Sequence, residues 1–367
     1  MTPRERVLAV LRGEPADRVP WLGDLDYYAT SLIERGKKPR GFQETDEYIA
    51  WHRDLRVGFY QQASWPYREI HEGCEVREWW DGPLRTREII TPDGTLRERY
   101  LWSDVSFCQA PLERLVKSPD DLPAYRRFFS ATHYEPDYRL AEKRRGQVGE
   151  MGLVMCFLPW SPLMRMIVVD AGIEAVVAIE ADAPAELEET VRILRESLDR
   201  ACDIAVRSPA EVLMITENLS SEVVGTRFYE RWLRGCYEHW SGRIKAAGRF
   251  SCIHMDGTLA GLLRQVSAVG FSFIEAMTPA PVGDLAIGDW RRYRAGSATV
   301  YWGGIPGSYF TPAVSEQEFE RHVREVLRVM RADRRMVLGV ADQVPPDALE
   351  SRIRRVAVLV EEFGAYR

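Results

Sequence analysis

The sequence predicts an α/β chain built as a TIM (β/α)8 barrel with an N-terminal elaboration that includes a β-meander insertion. Three observations predict it. From residue 150 onward, short apolar runs of strand length alternate with longer segments of helical periodicity, the pattern of parallel strands joined by crossover helices. In residues 74–102, extended runs are separated by turn sequences rather than by helices. The length of 367 residues suits one barrel with insertions.

In chain order, residues 3–12 read as a helix with Val7, Leu8 and Leu11 on one face. Val19-Pro20-Trp21-Leu22-Gly23 reads as a strand ending on Asp24. Cys74 to Trp80, Leu84 to Ile90 and Leu96 to Trp102 read as three strands, separated by the turns Asp81-Gly82-Pro83 and Thr91-Pro92-Asp93-Gly94. This segment is expected to form an antiparallel meander ahead of the regular barrel. Further strands are expected at 152–158, 211–216, 249–254, 272–276, 299–303 and 335–340, with helices at 162–172, 184–206, 226–246, 258–268, 315–331 and 347–363. These six strands, with one or two from the N-terminal region, point to the eight of a barrel; an open doubly wound sheet is the alternative. No Gly-x-Gly-x-x-Gly follows the first strand, which argues against a dinucleotide-binding sheet. With no internal repeat and no low-complexity linker, residues 1–367 are expected to be one domain carrying 74–102 as an insertion.

A hydrophobic fraction of 46% can build a large core, and a charged fraction of 28% solvates the surface. The formal net charge of -6 argues against a general nucleic-acid binder. Lys143-Arg144-Arg145 and Arg334-Arg335 sit among acidic neighbours and read as solvated faces. The six cysteines form no Cys-x-x-Cys pair, and those in apolar runs behave as small hydrophobes. Reduced thiols are therefore expected. The N-terminus does not read as a signal peptide, and no run approaches the ~18 apolar residues of a membrane span. The expectation is a cytoplasmic protein with no membrane or nucleic-acid partner.

Barrel active sites form at the C-terminal ends of the strands. Here those ends carry Asp24 with Asp26 and Tyr27, Pro159-Trp160, Glu217-Asn218, His254 with Asp256, Glu275, the run Gly303-Gly304-Ile305-Pro306-Gly307, and Asp342-Gln343. A packed core does not hold so many carboxylates without partners, although any one of them can also cap a helix. His254 stands apart from the other histidines because it ends an apolar strand and leads into Met255-Asp256-Gly257. The glycine-rich run is either a tight turn or an anion-binding loop. Trp21, Trp160 and Tyr309 are either packing or the walls of an aromatic pocket.

Several stretches carry a family resemblance. They are Thr2-Pro3-Arg4-Glu5-Arg6-Val7 through Asp17-Arg18-Val19-Pro20, the helix start Asp182-Ala183-Pro184, the turn His254-Met255-Asp256-Gly257, and the closing Val344-Pro345-Pro346-Asp347. Together they resemble the uroporphyrinogen decarboxylase superfamily over nearly the whole chain, more specifically in the C-terminal half and more loosely across residues 25–110. The resemblance implies a TIM barrel. The decarboxylase branch has an Arg-Gln-Ala-Gly-Arg segment after the first strand that binds the porphyrinogen carboxylates. This chain has Val-Pro-Trp-Leu-Gly-Asp-Leu-Asp-Tyr-Tyr there, and its next arginine is Arg35. That branch also has a histidine where this chain has Asp342.

The cobamide-dependent methyltransferase branch builds a zinc site from His-x-Cys after one strand and a cysteine after the last, two residues before Val-Pro-Pro. The matching positions are His254, Asp256 and Asp342. Oxygen replaces both sulfurs, so zinc or another divalent metal is implied, with Glu275 as a further ligand. The resemblance then implies a metal-dependent methyltransferase moving a methyl group between a small substrate and a corrinoid carried by a partner protein. Asp24, Tyr27 and Glu217 are the candidate catalytic residues; Trp21, Asp26, Trp160, Gly304 and Tyr309 are the candidate substrate contacts. The alternatives are a decarboxylase acting on uroporphyrinogen or another small acid, and a non-catalytic binding relative. A homodimer is compatible with all three.

Overall fold

Six strands, Met155–Leu158, Val212–Leu219, Phe250–Met255, Phe273–Met277, Val300–Pro306 and Met336–Ala341, pair in parallel and in chain order. In the computed structural model, which describes residues 1–60 and 64–366, two short N-terminal staves join the ends of this sheet. Trp21 pairs in parallel with Leu338, Leu22 with Gly58, and Phe59 with Gly152. The backbone bonds at the seam are ordinary: Leu22 N–H to Leu338 O at 3.1 Å, Gly58 N–H to Trp21 O at 3.0 Å, and Leu153 N–H to Phe59 O at 2.8 Å. Pairing thus runs round eight staves, which decides for the barrel over the open sheet. Gly152 is needed at the seam, because a Cβ there would lie 1.6 Å from the Phe59 carbonyl oxygen.

Strand alternation sorts the side chains into two cores. Leu22, Met155, Met214, Cys252, Phe273 and Trp302 fill the lumen, and Val7 and Val10 join them from the helix Pro3–Arg12. That helix starts on a capping box between Thr2 and Glu5. Trp302 fits because residue 339 is glycine; a Cβ there would come within 2.5 Å of the indole. The second core lies between staves and helices and extends from Val19 to Val360.

The helix expected at 184–206 is Pro184–Val206, and those at 315–331 and 347–363 are Glu316–Ala332 and Glu350–Phe363. The segments at 162–172 and 226–246 are helical but widen to π-type turns at Arg165–Asp170 and Tyr229–Leu233. The meander has four strands rather than three: Glu75–Asp81, Leu84–Thr91, Gly94–Ser103 and Cys108–Glu113. The fourth contains Pro111, which argues against a strand in sequence but is tolerated at a sheet edge. Ile89 and Leu96 anchor the meander on the outer core. All six cysteines are free thiols. No helix among the described residues is long and apolar enough to cross a membrane.

Candidate active site

The C-terminal rim of the lumen gathers Asp24, Tyr60, His254, Glu275 and Asp342. His254 and Glu275 are register partners on adjacent strands, so their side chains point the same way. His254 Nδ1 lies 2.8 Å from Glu275 Oε2. A carboxylate only accepts, so Nδ1 carries the proton and donates. Tyr60 donates its hydroxyl to the other Glu275 oxygen at 3.3 Å. His254 Nε2 then faces Asp342 Oδ1 at 3.6 Å. Asp24 is 3% exposed; its carboxylate accepts the Asp26 N–H at 2.8 Å and the Gln343 amide at 3.3 Å.

The electrostatics follow from crowding acids around one imidazole. Burial opposes charge on His254, but Glu275, with Asp342 and Asp256 behind it, more than offsets that and pushes its pKa up to about 10. Burial, then the charge of Asp26, raises the Asp24 carboxyl well above its usual range, with Asp342 and Glu275 adding to the effect. Asp342 shows 49% of its side chain to solvent, yet sits deep enough among protein atoms that burial raises it to about 6 against the pull of His254. Tyr60 is held neutral by burial and by Glu275.

His254 and Asp342 suit a divalent ion. Their 3.6 Å separation is too long for a hydrogen bond. Two donors at 2.0–2.2 Å from one tetrahedral ion stand about 3.3–3.6 Å apart. Glu275 supplies the carboxylate that commonly orients a metal-binding histidine, which makes it a support for His254 rather than a ligand. Among the described residues no three His, Cys, Asp or Glu side chains form a complete ligand set. The pair supplies two positions, and the charge of Asp256 also acts on both residues.

Other residues expected at the site lie elsewhere, mostly because alternation turns them outward. Trp21 points into the helix-side core, whereas its neighbour Leu22 faces the lumen. Glu217 also faces the helices: Ser161 donates to it through N–H at 2.6 Å and Oγ at 3.0 Å, and Tyr237 of the helix Arg234–Ala246 lies beside it. Gly304 accepts from His322 at 2.8 Å, and a Cβ on it would meet Val326 and Met330 of the Glu316–Ala332 helix. Tyr309 packs on that same His322, 4.4 Å between ring centroids. Tyr27 donates to the Ser106 carbonyl and so ties the barrel to the meander. Asp26 is held by Tyr48 at 2.9 Å and by Gln43. Trp160 packs at a tilt against Trp65, 5.6 Å between ring centroids, beside a separate cavity of about 270 Å³. Tyr60 was missed; the signal was the short apolar run Val57-Gly58-Phe59-Tyr60, the second stave, directly after the helix Asp46–Leu55.

A likeness to known proteins accompanies this geometry. Among solved structures, a methyltransferase from Methanosarcina mazei matches with a TM-score of 0.63 at 14% sequence identity, over 99% of each chain. At that identity the shared property is the fold. No protein of curated function is detectably similar in sequence. Residues 119–363 match the family Uroporphyrinogen decarboxylase (URO-D). The match takes in His254, Glu275 and Asp342, while Asp24 and Tyr60 lie before the matched residues. The chain belongs to the uroporphyrinogen decarboxylase family.

Proposed function

We propose that this family member is a metal-dependent methyltransferase that passes a methyl group between a small substrate and a corrinoid on a partner protein. The observation that carries the reading is His254, fixed by Glu275 at Nδ1 and presenting Nε2 to Asp342 at 3.6 Å. His254 and Asp342 would hold a divalent ion, and such an ion would supply Lewis acidity at the heteroatom that gives up or accepts the methyl group. Glu275 and Tyr60 hold the imidazole in one tautomer and orientation. Asp24, whose carboxyl burial raises well above its usual range, would donate a proton to an oxygen leaving group or hold the acceptor's proton. An oxygen-donor site suits a methyl ether better than a thiol.

The test is metal analysis combined with methyl transfer from a panel of methylated donors to cob(I)alamin, before and after chelation. Transfer that falls on chelation and returns with added zinc is the expected result; Asp342→Asn should lower both metal content and rate at least tenfold, a loss typical for disturbed metal sites. No transfer from any donor, with no divalent ion retained after reconstitution, overturns the reading. Chelator-resistant turnover of a small carboxylic acid would favour the lyase alternative, for which the raised pKa of the buried Asp24 speaks. Binding without turnover would mark a non-catalytic relative.

Uroporphyrinogen itself is expected not to be decarboxylated. Glu275, Asp342 and Asp256 crowd the single imidazole of His254 at the mouth, and a polycarboxylate would meet repulsion there. Incubation with fresh uroporphyrinogen should yield no coproporphyrinogen; formation at roughly 1 s⁻¹ or faster would refute this.

A further inference from the structure

Trp21 is not at the barrel mouth, and its actual surroundings form a second pocket. A cavity of about 390 Å³ lies beside the first stave, towards its N-terminal end and away from Asp24. Its apolar lining includes Trp21, Gly58, Met151, Ala357 and Val360. Four arginines, Arg6, Arg18, Arg53 and Arg56, line it against two carboxylates, Asp17 and Glu361. In a chain of net charge -6 this is a local excess of positive charge.

The donors are incompletely used. Trp21 is 6% exposed, and its indole N–H has no hydrogen-bond partner. The Arg18 Nε–H is likewise buried without a hydrogen-bond partner, its nearest acid being Asp17 at 3.6 Å. Asp17 is already engaged by Arg6 at 2.6 Å, and Arg56 by Glu361. Arg53 has no ion pair among the described residues. Arg56 is held over the cavity by a left-handed backbone, φ 61, at the end of the helix Asp46–Leu55, a conformation uncommon for a side chain of this size. A buried N–H without a partner is costly unless something accepts from it.

We propose that this pocket binds an organic oxyanion, a phosphate or carboxylate group carried on a flat apolar body. The oxyanion would sit between Arg18, Arg53 and the Trp21 N–H, where planar guanidinium groups match its geometry. The apolar body would lie on the floor of Met151, Ala357 and Val360. The proposal is independent of the chemistry at His254, since no residue is shared between the two sites.

Calorimetric titration of the whole protein with phenyl phosphate, benzoate and inorganic phosphate tests it. Phenyl phosphate or benzoate should bind saturably and more tightly than inorganic phosphate, and the order of the first two identifies the oxyanion. Arg53→Gln should weaken binding roughly tenfold or more, the loss of one hydrogen bond to a charged group. Arg53 is exposed and unpaired, so this variant should keep the parental melting temperature. Trp21→Phe, which removes the indole donor together with part of the cavity wall, should weaken binding in the same direction. Absence of saturable binding for all three probes up to about 10 mM, or equal binding by Arg53→Gln and the parent, overturns the proposal. Binding weakened by His254→Gln but not by Arg53→Gln would also overturn it, because the ligand would then be at the mouth.

Discussion

Replacing His254 by Ala is expected to destabilise the metal-free protein by about 3–5 kcal/mol at neutral pH, the usual cost of leaving one member of a buried ion pair alone. Glu275 is 3% exposed and, among the described residues, would keep the Tyr60 hydroxyl as its partner. The double variant His254→Ala with Glu275→Gln should recover much of the loss, because it removes the orphaned charge. The pH dependence has a definite sign. His254 rises from 6.5 to about 10 on folding, so its stabilising contribution is full below about pH 6.5 and is lost as pH rises through 10. The gap between parent and His254→Ala should therefore narrow from pH 7 to pH 10. Urea unfolding of chelated protein measures it. A difference below roughly 1 kcal/mol at pH 7, less than one ordinary hydrogen bond to a charged group, would show that the pair does not stabilise the fold. In the same variant, divalent-ion binding should be lost; retention of metal at parental affinity would remove His254 from the proposed ligand set.

Replacing Glu217 by Gln is expected to stabilise the protein at pH 8 and leave it nearly unchanged at pH 4. Burial raises the Glu217 carboxyl from 4.5 to about 7, partly opposed by the Ser161 hydrogen bonds. Between those values the folded chain keeps a proton that the unfolded chain releases. Stability therefore falls as pH rises from about 4.5 to about 7 and stays lowered above it, by on the order of 3 kcal/mol. Glutamine keeps an acceptor for the Ser161 N–H and cannot ionise, so the slope from this site should vanish. Denaturation midpoints of the two proteins across pH 4–8 decide it; parallel curves would sink the idea. A change in methyl transfer by Glu217→Gln is not expected, since Ser161 holds the side chain on the helix side of the strand.

Much of the fold was legible because it rests on local periodicity. The six strands after residue 150 read as largely apolar runs, as strands buried on both faces do, and Pro184–Val206 carried its own start signal in Asp182-Ala183-Pro184. The meander showed through its turns. The two N-terminal staves were harder to see, since each is only a few residues long and is defined by pairing with distant chain: Trp21 with Leu338, Phe59 with Gly152.

The candidate site divides in the same way. The sequence alone determined the chemistry available at the strand ends: one histidine, several carboxylates, and no cysteine where related zinc sites have them. Only the tertiary structure decided which of these meet. The direction of a side chain depends on strand phase, and the irregular pairing between Ile215 and Leu219 and the two short staves are not encoded in composition or spacing. Phase places Asp24, His254 and Glu275 in the lumen and turns Trp21 and Glu217 toward the helices. Barrel closure brings Asp342 from the last stave and Tyr60 from the second to the same rim. A charge becomes catalytic, structural or ligand-binding according to which core it faces, and that is settled by closure of the sheet rather than by any local run of residues.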